Sequence, residues 1–550
     1  MQGLMQEWPL LCHKIIDHAA TLHGDRTIVT RTVEGPIHTT TYREVRARSL
    51  QVAKRLERHG IREGDRVATL AWNTVRHLEL WYGILGLGAV YHTVNPRLFR
   101  DEIAWLINDA EDRILFVDLT FVPLVEEIAD QLTTIETVVV LTDAASMPET
   151  RLRNAVPYES FIAEVDADFA WRDLDENAAA GLCYTSGTTG KPKGVLYSHR
   201  SNMLHAFSMS AVDMLGLGSR DTVMPVVPMF HANGWSLAFS APLNGSALVM
   251  PGAGMDGASI YQLLTEYRVT MTAAVPTVWL ALLHHLDAQG GSLPDLDRVV
   301  IGGSACPRAM TEAFQERYGV DVLHAWGMTE MSPLGSVCSI KPAVAHLTGA
   351  EKLDLQETQG HPPITVEMKI TDDAGNRQPW DGKTFGRLKV RGPAVARSYY
   401  KGAGGEILDE EGFFDTGDVA VIDPNGYMRI TDRSKDVIKS GGEWISSIDL
   451  ENIAVGHPDV AEAAVIGIAH PKWDERPLLI VVPKPGAEPD KQDILAYIGE
   501  RAAKFWIPDD VLMVDEIPHT ATGKIKKTAL RDMFGSYRFA DGTGPDDAAR

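Results

Sequence analysis

The eleven-residue segment "YTSGTTGKPKG" (184–194) has the composition of a loop that holds phosphate. Its glycines allow backbone N–H groups to approach an anion without a Cβ in the way, while its hydroxyl groups and lysines add hydrogen-bond donors and positive charge. The segment differs from the P-loop pattern G-x-x-x-x-G-K-[ST], because Thr185 occupies the place of the first glycine and Pro192 follows Lys191. Taken alone, it is also compatible with a mobile surface loop made of turn-forming residues.

Four segments further along the chain also combine glycine, hydroxyl and charged residues: "HAWGMTE" (324–330), "FFDTGD" (413–418), "DRSKDVIKSGGEWIS" (432–446) and "PHTATGKIKK" (518–527). In this order, and together with the first segment, they resemble the signatures of the acyl-adenylate-forming superfamily, which includes the AMP-forming acyl-CoA synthetases. Two places depart from the usual pattern. Trp326 stands where the family has Tyr, and Phe414 and Asp415 vary ahead of an intact T-G-D.

The resemblance implies three substrates, ATP, a carboxylic acid and coenzyme A, with Mg²⁺ as the metal and an acyl-AMP as the intermediate. In such a reaction the protein mainly positions groups and neutralises charge. The residues that the resemblance assigns to the nucleotide are Thr185, Ser186, Gly187, Thr188, Thr189, Gly190, Lys191, His231, Gly302, Gly303, Ser304, His324, Ala325, Trp326, Gly327, Met328, Thr329, Asp418, Arg433, Lys439 and Lys524.

Glu330 and Lys524 are the residues expected to act on the reacting phosphates. An acidic residue in a phosphate site makes sense as a Mg²⁺ ligand, and the resemblance pairs Glu330 with Thr185 for that metal. The competing interpretation of Glu330 is a charge at a helix N-terminus. Lys524 is implied to bridge the carboxylate and the α-phosphate, where two anions must meet. Its neighbours Lys526 and Lys527 are better explained as solvated charges.

A second conformation is implied for the transfer to coenzyme A. In the family the small domain rotates about a hinge, here at Lys435, and exchanges the Lys524 loop for the loop that carries Lys439. Glycines in that loop leave a backbone groove for a pantetheine arm. The residues assigned to coenzyme A are Ser440, Gly441, Gly442 and Trp444.

The segment "PMFHANGW" (228–235) bears on the acid. Relatives that activate amino acids have Asp where this chain has His231, so a substrate ammonium has no obvious partner here. In fatty and aryl acid ligases this histidine lies beside the carboxylate and an aromatic residue gates the acyl tunnel, which matches His231 and Trp235. These two residues and Gly302 form the predicted acyl pocket. A packed core histidine remains the alternative for His231.

Within the ligases, "MFHANGW" together with "SGGEWISSIDLEN" resembles the medium-chain branch, which includes enzymes for 3-(methylthio)propionate in the degradation of dimethylsulfoniopropionate. The residues themselves support only a short or medium-chain, uncharged acid. Three alternatives stay open: a medium- or long-chain fatty-acyl-CoA synthetase, a non-catalytic acyl or lipid-binding sensor, and an adenylation domain that loads a carrier protein.

The elements that must position these residues alternate between short apolar strands and helices in the first half of the chain, which favours βαβ units. The sequence pattern predicts helices over 123–132, 308–318 and 490–504, among others. Several strands, such as "DRVVIGG", run into glycine-rich loops, where open α/β sheets bind ligands. From residue 366 the pattern changes to alternating strands. We therefore predict an α/β and α+β multidomain fold, with a large N-terminal domain (1–431) of βαβ sheets plus a distorted β region, a hinge (432–436), a small mobile α+β C-terminal domain (437–534) and a disordered tail (535–550).

Composition limits the class of partner and the compartment. The net charge of −22 argues against nucleic acid or an anionic membrane surface as the main partner. The four cysteines have no metal-ligand spacing and predict reduced thiols, and no stretch reaches the roughly 18 apolar residues of a membrane span. We expect small-molecule partners, no stable membrane insertion and a cytoplasmic location, with a homodimer as the candidate assembly.

Overall fold

The structure is a computed structural model that describes residues 1, 3–185, 191–441, 443–520 and 524–539, with the side chains of Glu443 and Trp444 left undescribed. Its helices are α1 (His13–Leu22), α2 (Tyr42–Arg58), α3 (Val75–Leu87), α4 (Arg100–Ala110), α5 (Val122–Ile128), α6 (Tyr158–Ala163), α7 (His199–Ser210), α8 (Leu237–Leu243), α9 (Gly257–Glu266), α10 (Pro276–Gln289), α11 (Arg308–Glu312), α12 (Gly349–Gln356), α13 (Ser447–Val455), α14 (Lys491–Gly499) and α15 (Lys527–Phe534).

The strands are β1 (Thr27–Arg31), β2 (Ile37–Thr41), β3 (Arg66–Leu70), β4 (Val90–Thr93), β5 (Ile114–Val117), β6 (Thr137–Val140), β7 (Val156–Pro157), β8 (Ala179–Tyr184), β9 (Gly194–Ser198), β10 (Thr222–Pro225), β11 (Ala247–Met250), β12 (Met271–Ala274), β13 (Arg298–Gly302), β14 (Asp321–Gly327), β15 (Leu334–Val337), β16 (Glu367–Thr371), β17 (Gly386–Arg391), β18 (Phe414–Ile422), β19 (Met428–Arg433), β20 (Ile438–Ser440), β21 (Glu443–Ile445), β22 (Val460–His470), β23 (Asp474–Pro483) and β24 (Asp510–Met513).

Two mostly parallel sheets form the body of the large N-terminal domain. One has the order β7-β6-β5-β3-β4-β8-β9, and the other has the order β15-β14-β13-β12-β10-β11-β1-β2. Antiparallel pairs close their edges at β8–β9, β14–β15 and β1–β2. The parallel interior confirms the predicted βαβ units, and it brings the carboxyl ends of several strands to one rim of each sheet.

The core between these sheets explains why some helices lack a polar face. Helix α3 buries all but one of its thirteen residues, because it lies among strands and other helices instead of at the surface. At its centre Trp81 stacks on Tyr91 of β4 with ring centroids 4.4 Å apart. This packing fixes the strand ends that carry the site.

Two smaller sheets complete the molecule. Strands β16-β17-β18-β19 form an antiparallel sheet, which is the predicted β region after residue 366. The small C-terminal domain has the order β21-β20-β23-β22 with β24 pairing in parallel to β23, and α13, α14 and α15 pack on it. The four-stranded sheet ends at Arg433 and the small-domain sheet begins at Ile438, and the division into 1–431, 432–436 and 437–534 stays a prediction.

Some predicted elements end differently in the structure. The helix predicted over 490–504 ends at Gly499, because the N–H groups of Arg501 and Ala502 both turn back to the carbonyl of Ile498. The helix predicted over 123–132 changes to a 3₁₀ turn after Ile128, and the helix predicted over 308–318 changes to a π turn after Glu312.

The start of the predicted disordered tail is packed. Phe539 is buried against Ile466 and Leu530, and the hydroxyl of Tyr537 donates a hydrogen bond to Asp510. Apolar contact thus continues the small-domain core to Phe539, while 540–550 lie outside the described residues. All four cysteines are unpaired and buried, and no helix in the described ranges is both long and apolar enough to cross a bilayer.

Candidate active site

The predicted phosphate loop connects the antiparallel strands β8 and β9. Thr185 follows β8, donates its N–H to the carbonyl of Lys193 at 2.9 Å and accepts the N–H of Lys193 on its hydroxyl at 3.1 Å. This pairing closes the base of the loop. Five predicted residues of the loop lie outside the described residues: Ser186, Gly187, Thr188, Thr189 and Gly190. The described chain resumes at Lys191, whose ammonium lies 5.2 Å from the Trp105 ring centroid.

Two tyrosines link the segment 327–330 to neighbouring elements. Tyr197 of β9 donates a 2.6 Å hydrogen bond to the carbonyl of Thr329, so the phosphate loop and this segment are held together. Tyr399 donates a 2.6 Å hydrogen bond to Oε1 of Glu330, whose side chain is buried. A single carboxylate fixed in this way suits Mg²⁺, which takes one or two protein carboxylates and fills its shell with phosphate and water. The described chain contains no group of three or more His, Cys, Asp or Glu that could hold a metal by itself.

The carboxyl ends of β13 and β14 form a wall of small residues. Gly302 pairs with Ala325, and a Cβ added to Gly302 would lie 2.7 Å from the Ala325 carbonyl and 3.1 Å from the Trp235 ring. Gly303 has φ +84°, a conformation that other residues rarely adopt, and Ser304 is exposed beside it. Trp235 therefore meets Gly302, as the predicted acyl pocket requires.

His324 contributes a buried side chain to this wall. Its Nδ1 lies 3.0 Å from the carbonyl of Glu357, and burial lowers the pKa of His324 to about 4. Gly327 and Met328 continue the wall at the end of β14, where a Cβ on Gly327 would collide with the backbone of Pro333. The neutral, hydrogen-bonded imidazole keeps β14 fixed against the segment around 357.

Asp418 lies at the centre of the site and is 2% exposed. Its Oδ2 accepts a 3.0 Å hydrogen bond from the indole Nε1 of Trp326, and its Oδ1 lies 2.9 Å from Nε of Arg433. Trp326, which stands where the resembled family has Tyr, therefore contacts Asp418. The indole, the guanidinium and the carboxylate come from three different strands, β14, β19 and β18.

Lys524 lies close to the charges of the large domain. Burial lowers the pKa of Lys524 to about 8, the Arg433 cation lowers it further, and the carboxylates of Asp418 and Glu330 oppose this change. The pKa of Lys524 therefore responds to charges on β18, β19 and the 327–330 segment of the large domain. The predicted lysine and the predicted phosphate-site acid, almost 200 residues apart in the chain, lie within electrostatic range of each other.

His231 is another residue that the sequence assigns to the site. Burial, reinforced by the cations of Lys524 and Arg97, lowers the pKa of His231 to about 3. The imidazole is therefore neutral at ordinary pH and can donate or accept a hydrogen bond without carrying charge. The backbone N–H of His231 belongs to a tight turn and donates a 3.0 Å hydrogen bond to the carbonyl of Pro228.

The residues after His231 form a left-handed turn. Ala232, Asn233, Gly234, Trp235 and Ser236 have φ between +37° and +64°, and all five are buried. Residues other than glycine pay roughly 1–2 kcal/mol each in this region, so the surrounding structure must hold the turn. One such contact is a 3.1 Å hydrogen bond from the hydroxyl of Thr93 to Oδ1 of Asn233.

The segment assigned to coenzyme A is bound to the small domain itself. The Lys439 N–H donates to Glu475 at 2.9 Å, the Ser440 hydroxyl accepts from Arg476 at 3.2 Å, and the Gly441 N–H donates to the Trp473 carbonyl at 2.8 Å. Gly442 lies outside the described residues, and of Trp444 the structure describes the strand pairing with Lys439. Lys435, the predicted hinge, is exposed in the turn between β19 and β20.

Sequence reasoning missed residues that the structure places at the site. Tyr399 and Tyr197 hold the 327–330 segment, and nothing in their own sequence surroundings links them to it. Arg97 lies near His231, with its guanidinium carbon 5.8 Å from the Phe230 ring centroid. Its position directly after β4, at the carboxyl end of a parallel strand, is a signal that could have identified it.

Comparison with known proteins finds similar proteins along most of the chain. The family profile described as "AMP-binding enzyme" matches residues 16–400, and the profile described as "AMP-binding enzyme C-terminal domain" matches residues 449–524. The chain is similar to the 3-methylmercaptopropionyl-CoA ligase of Ruegeria pomeroyi, with 49% identity over 538 residues that cover 97% of this chain and 99% of the relative.

A second relative and a solved structure are also similar to this chain along almost its whole length. The medium-chain-fatty-acid–CoA ligase of Ectopseudomonas oleovorans is 44% identical over 535 residues, which cover 97% of this chain and 98% of that one. The crystal structure of the anthranilate CoA ligase AuaEII in complex with anthranoyl-AMP superposes with a TM-score of 0.85 at 26% identity, covering 97% of this chain and 99% of the other.

Proposed function

Because this chain belongs to the AMP-binding enzyme family and is an AMP-forming acyl-CoA ligase, we propose that it converts 3-methylmercaptopropionate and similar short or medium-chain acids into coenzyme A thioesters. The observation that carries the proposal is the 49% identity to a 3-methylmercaptopropionyl-CoA ligase along almost the whole of both chains. The site supports it with a neutral His231 and a buried Trp235, which suit an uncharged acyl group.

In the first half-reaction, a carboxylate oxygen attacks the α-phosphorus of ATP, and the bond to the β-phosphate breaks to release pyrophosphate. Lys524 would lie between the two anions and reduce their repulsion. Asp418 would accept the ribose hydroxyl groups, with Trp326 and Arg433 fixing its orientation. The walls of β13 and β14 would hold the adenine, and the loop after Thr185 would hold the departing phosphates.

Glu330 would hold Mg²⁺, with Thr185 as its second protein ligand. The bound metal supplies charge neutralisation for the phosphates. Tyr399 keeps the Glu330 carboxylate in one orientation through its 2.6 Å hydrogen bond. The single buried carboxylate fits the low number of protein ligands that Mg²⁺ needs beside a nucleotide.

In the second half-reaction, the sulfur of coenzyme A attacks the acyl carbonyl of the acyl-AMP. The thiol proton is lost, the bond between the acyl carbon and the phosphate oxygen breaks, and AMP leaves. We propose that the small domain turns about Lys435 for this step, so that Lys524 withdraws and the segment 439–444 approaches. We assign the arrangement in which Lys524 responds to the charges of Asp418 and Glu330 to the first half-reaction; the influence of these two carboxylates on the pKa of Lys524 supports the assignment.

We also propose that the enzyme works in the cytoplasm as a monomer or homodimer on small-molecule substrates. The four buried cysteines suit a reducing compartment, and the net charge of −22 disfavours nucleic acid as a partner. Light scattering after size-exclusion chromatography measures the oligomeric state.

The function is tested by a coenzyme A ligation screen with acids of graded length. The series contains 3-(methylthio)propionate, pentanoate as its match with CH₂ in place of sulfur, octanoate, dodecanoate and palmitate. We expect the highest kcat/KM for 3-(methylthio)propionate, with pentanoate lower by roughly 10- to 200-fold, because one group in an apolar pocket changes binding by about 1–3 kcal/mol.

Other results would select other functions. A maximum at octanoate would favour a medium-chain fatty acid ligase, as in the relative from Ectopseudomonas oleovorans. A maximum at dodecanoate or palmitate would favour a long-chain enzyme. Pyrophosphate release without thioester formation would indicate an adenylation domain for a carrier protein, and no release with any acid would indicate a non-catalytic sensor.

A further inference from the structure

Asn73 is a fully buried amide that follows β3 in the large domain. Its Nδ2 donates to the carbonyl of Pro225 at 2.7 Å and to the carbonyl of Val227 at 2.8 Å. Its Oδ1 accepts the N–H of Met229 at 2.7 Å. All three hydrogen bonds of the side chain therefore reach a single five-residue segment from a different sheet.

That segment, 225–229, leads directly to His231. It leaves the end of β10, where the N–H groups of Val226 and Val227 both donate to the carbonyl of Ala273. This leaves the carbonyls of Pro225 and Val227 for Asn73. A buried amide that satisfies two carbonyls and one N–H is costly to replace, since each would otherwise lose its partner away from water.

The bonds of Asn73 also bear on the left-handed turn after His231. The turn stores strain in residues such as Trp235, and a strained conformation persists only when its neighbours determine it. Asn233 is held from β4 by Thr93, and the entry to the turn is held from β3 by Asn73. The neighbouring Trp72 strengthens the same attachment, with its ring centroid 5.8 Å from that of Phe230.

We propose that Asn73 is a positioning residue that sets the places of His231 and Trp235, and thereby the selection of the acid. The inference rests on the proposed function, because the acid is taken to bind between these two side chains. In the described structure the side-chain hydrogen bonds of Asn73 go to 225–229 and not to β13, β14 or Asp418, so we expect its loss to affect the acid more than ATP. A residue that only stabilised the fold would affect acid and ATP alike.

The test compares Asn73→Asp and Asn73→Ser with the wild-type enzyme. Asp keeps the shape but loses both donors, and Ser shortens the side chain. Because displacement of a reacting group by about 1 Å can cost 10²-fold in rate, we expect kcat/KM for 3-(methylthio)propionate to fall roughly 10- to 100-fold. The KM for ATP should change less than about twofold, and discrimination between pentanoate and octanoate should weaken.

Asn244→Asp is the matched control. Nδ2 of Asn244 also donates two hydrogen bonds, to Ser210 and to the carbonyl of Ser240, and it joins the end of α8 to α7 instead of holding the 225–229 segment. It should reduce stability in urea unfolding without changing the acid-length profile. If Asn73→Ser and Asn244→Asp leave the same profile and the same acid KM, the proposal is overturned.

A crystal structure of Asn73→Ser gives a readout independent of activity. We expect the 225–235 segment to move by more than about 0.5 Å, the tolerance of a working site. An unmoved segment overturns the proposal even if activity falls. If the wild-type protein ligates no acid, the proposed function fails, and the position of this segment still decides whether Asn73 places it.

Discussion

At the scale of single residues, the site depends on side chains that fix other side chains. Trp326 orients Asp418, and Tyr399 orients Glu330, each through one short hydrogen bond to a buried carboxylate. Hydrogen bonds to charged groups contribute about 1.5–3 kcal/mol, more than neutral ones. Removing either hydrogen bond should therefore change substrate binding or reaction rate by a measurable amount.

Trp326→Phe should weaken ATP binding. The ring is kept, but the Nε1–H that donates to Asp418 is lost, so the carboxylate loses a contact that would orient it toward the ribose we propose it binds. We expect the KM for ATP to rise roughly tenfold or more, which corresponds to about 1.4 kcal/mol, with the KM for the acid little changed. Pyrophosphate release at varied ATP measures this.

Trp279→Phe is the control for that substitution. Trp279 is buried in α10, and its Nε1 has no hydrogen-bond partner in the described part of the structure. It should leave the KM for ATP unchanged. An equal rise in both variants would mean that the indole contributes only packing.

The pKa of Lys524 predicts a pH limit for adenylation. Because this pKa is lowered to about 8, the ammonium loses its proton as the pH rises through 8, and with it the charge that we propose bridges the two anions. We expect kcat/KM for ATP to fall about tenfold per unit above pH 8, since this parameter reports the free enzyme. His231, with its pKa near 3, should not titrate between pH 5 and 9.

Lys524→Arg separates this group from others. A guanidinium keeps its charge throughout this range, so the variant, although slower, should lose the decline above pH 8. A decline that remains in Lys524→Arg would belong to another group.

At the scale of elements, two separate segments of the small domain carry the lysines predicted to act in the two half-reactions. The loop before α15 holds Lys524 beside the large domain, whereas β20 holds Lys439 through Glu475 of β23. Because both are attached to one sheet, they move together when that sheet turns. The two half-reactions should therefore separate by loop.

Lys524→Ala should abolish acyl-AMP formation and still convert supplied acyl-AMP into the thioester. Lys439→Ala should form acyl-AMP at close to the wild-type rate and slow the thioester step at least about tenfold, since preorganised charge at a reacting site contributes several kcal/mol. Single-turnover measurements of each half-reaction decide this. If Lys524→Ala slows both steps equally, the separate roles are wrong. Lys526→Ala, at an exposed neighbour, is the control.

At the scale of the whole molecule, the chain between β19 and β20 joins the large and the small domain, and both ends of this connection bond to the small domain. Asp432 accepts hydrogen bonds from the N–H of Ser447 at 2.9 Å and from its hydroxyl, and Asp436 pairs with Arg531. Lys435 lies between these two attachments and is exposed. Rotation of the small domain must therefore change backbone angles within a very short stretch.

Lys435→Pro should impair the second half-reaction more than the first. The proline ring fixes φ near −65° and restricts the residue before it, so the backbone loses freedom at the predicted hinge. We expect acyl-AMP formation within about threefold of wild type and thioester formation reduced tenfold or more, as for a step limited by domain motion. Lys435→Ala, which removes the side chain alone, should retain both rates. Equal loss in both steps would place the hinge elsewhere.

The sequence by itself determined the reaction. Five segments resemble, in the same order, the signatures of the AMP-forming ligases, and each is a short run of residues in which glycine, hydroxyl and charged groups lie close together in the chain. The alternation of strands and helices also predicted the βαβ sheets, since burial imposes a short, regular pattern. These features are local, and one chain is enough to read them.

Only the tertiary structure decided which residues support the reacting ones. The contacts of Trp326 with Asp418 and of Asn73 with 225–229 join positions about 90 and 150 residues apart, and no local pattern links them. The lowered pKa values of Lys524 and His231 likewise depend on burial and on charges from other elements. Packing between distant segments creates these contacts and pKa values, so only the tertiary structure could identify them.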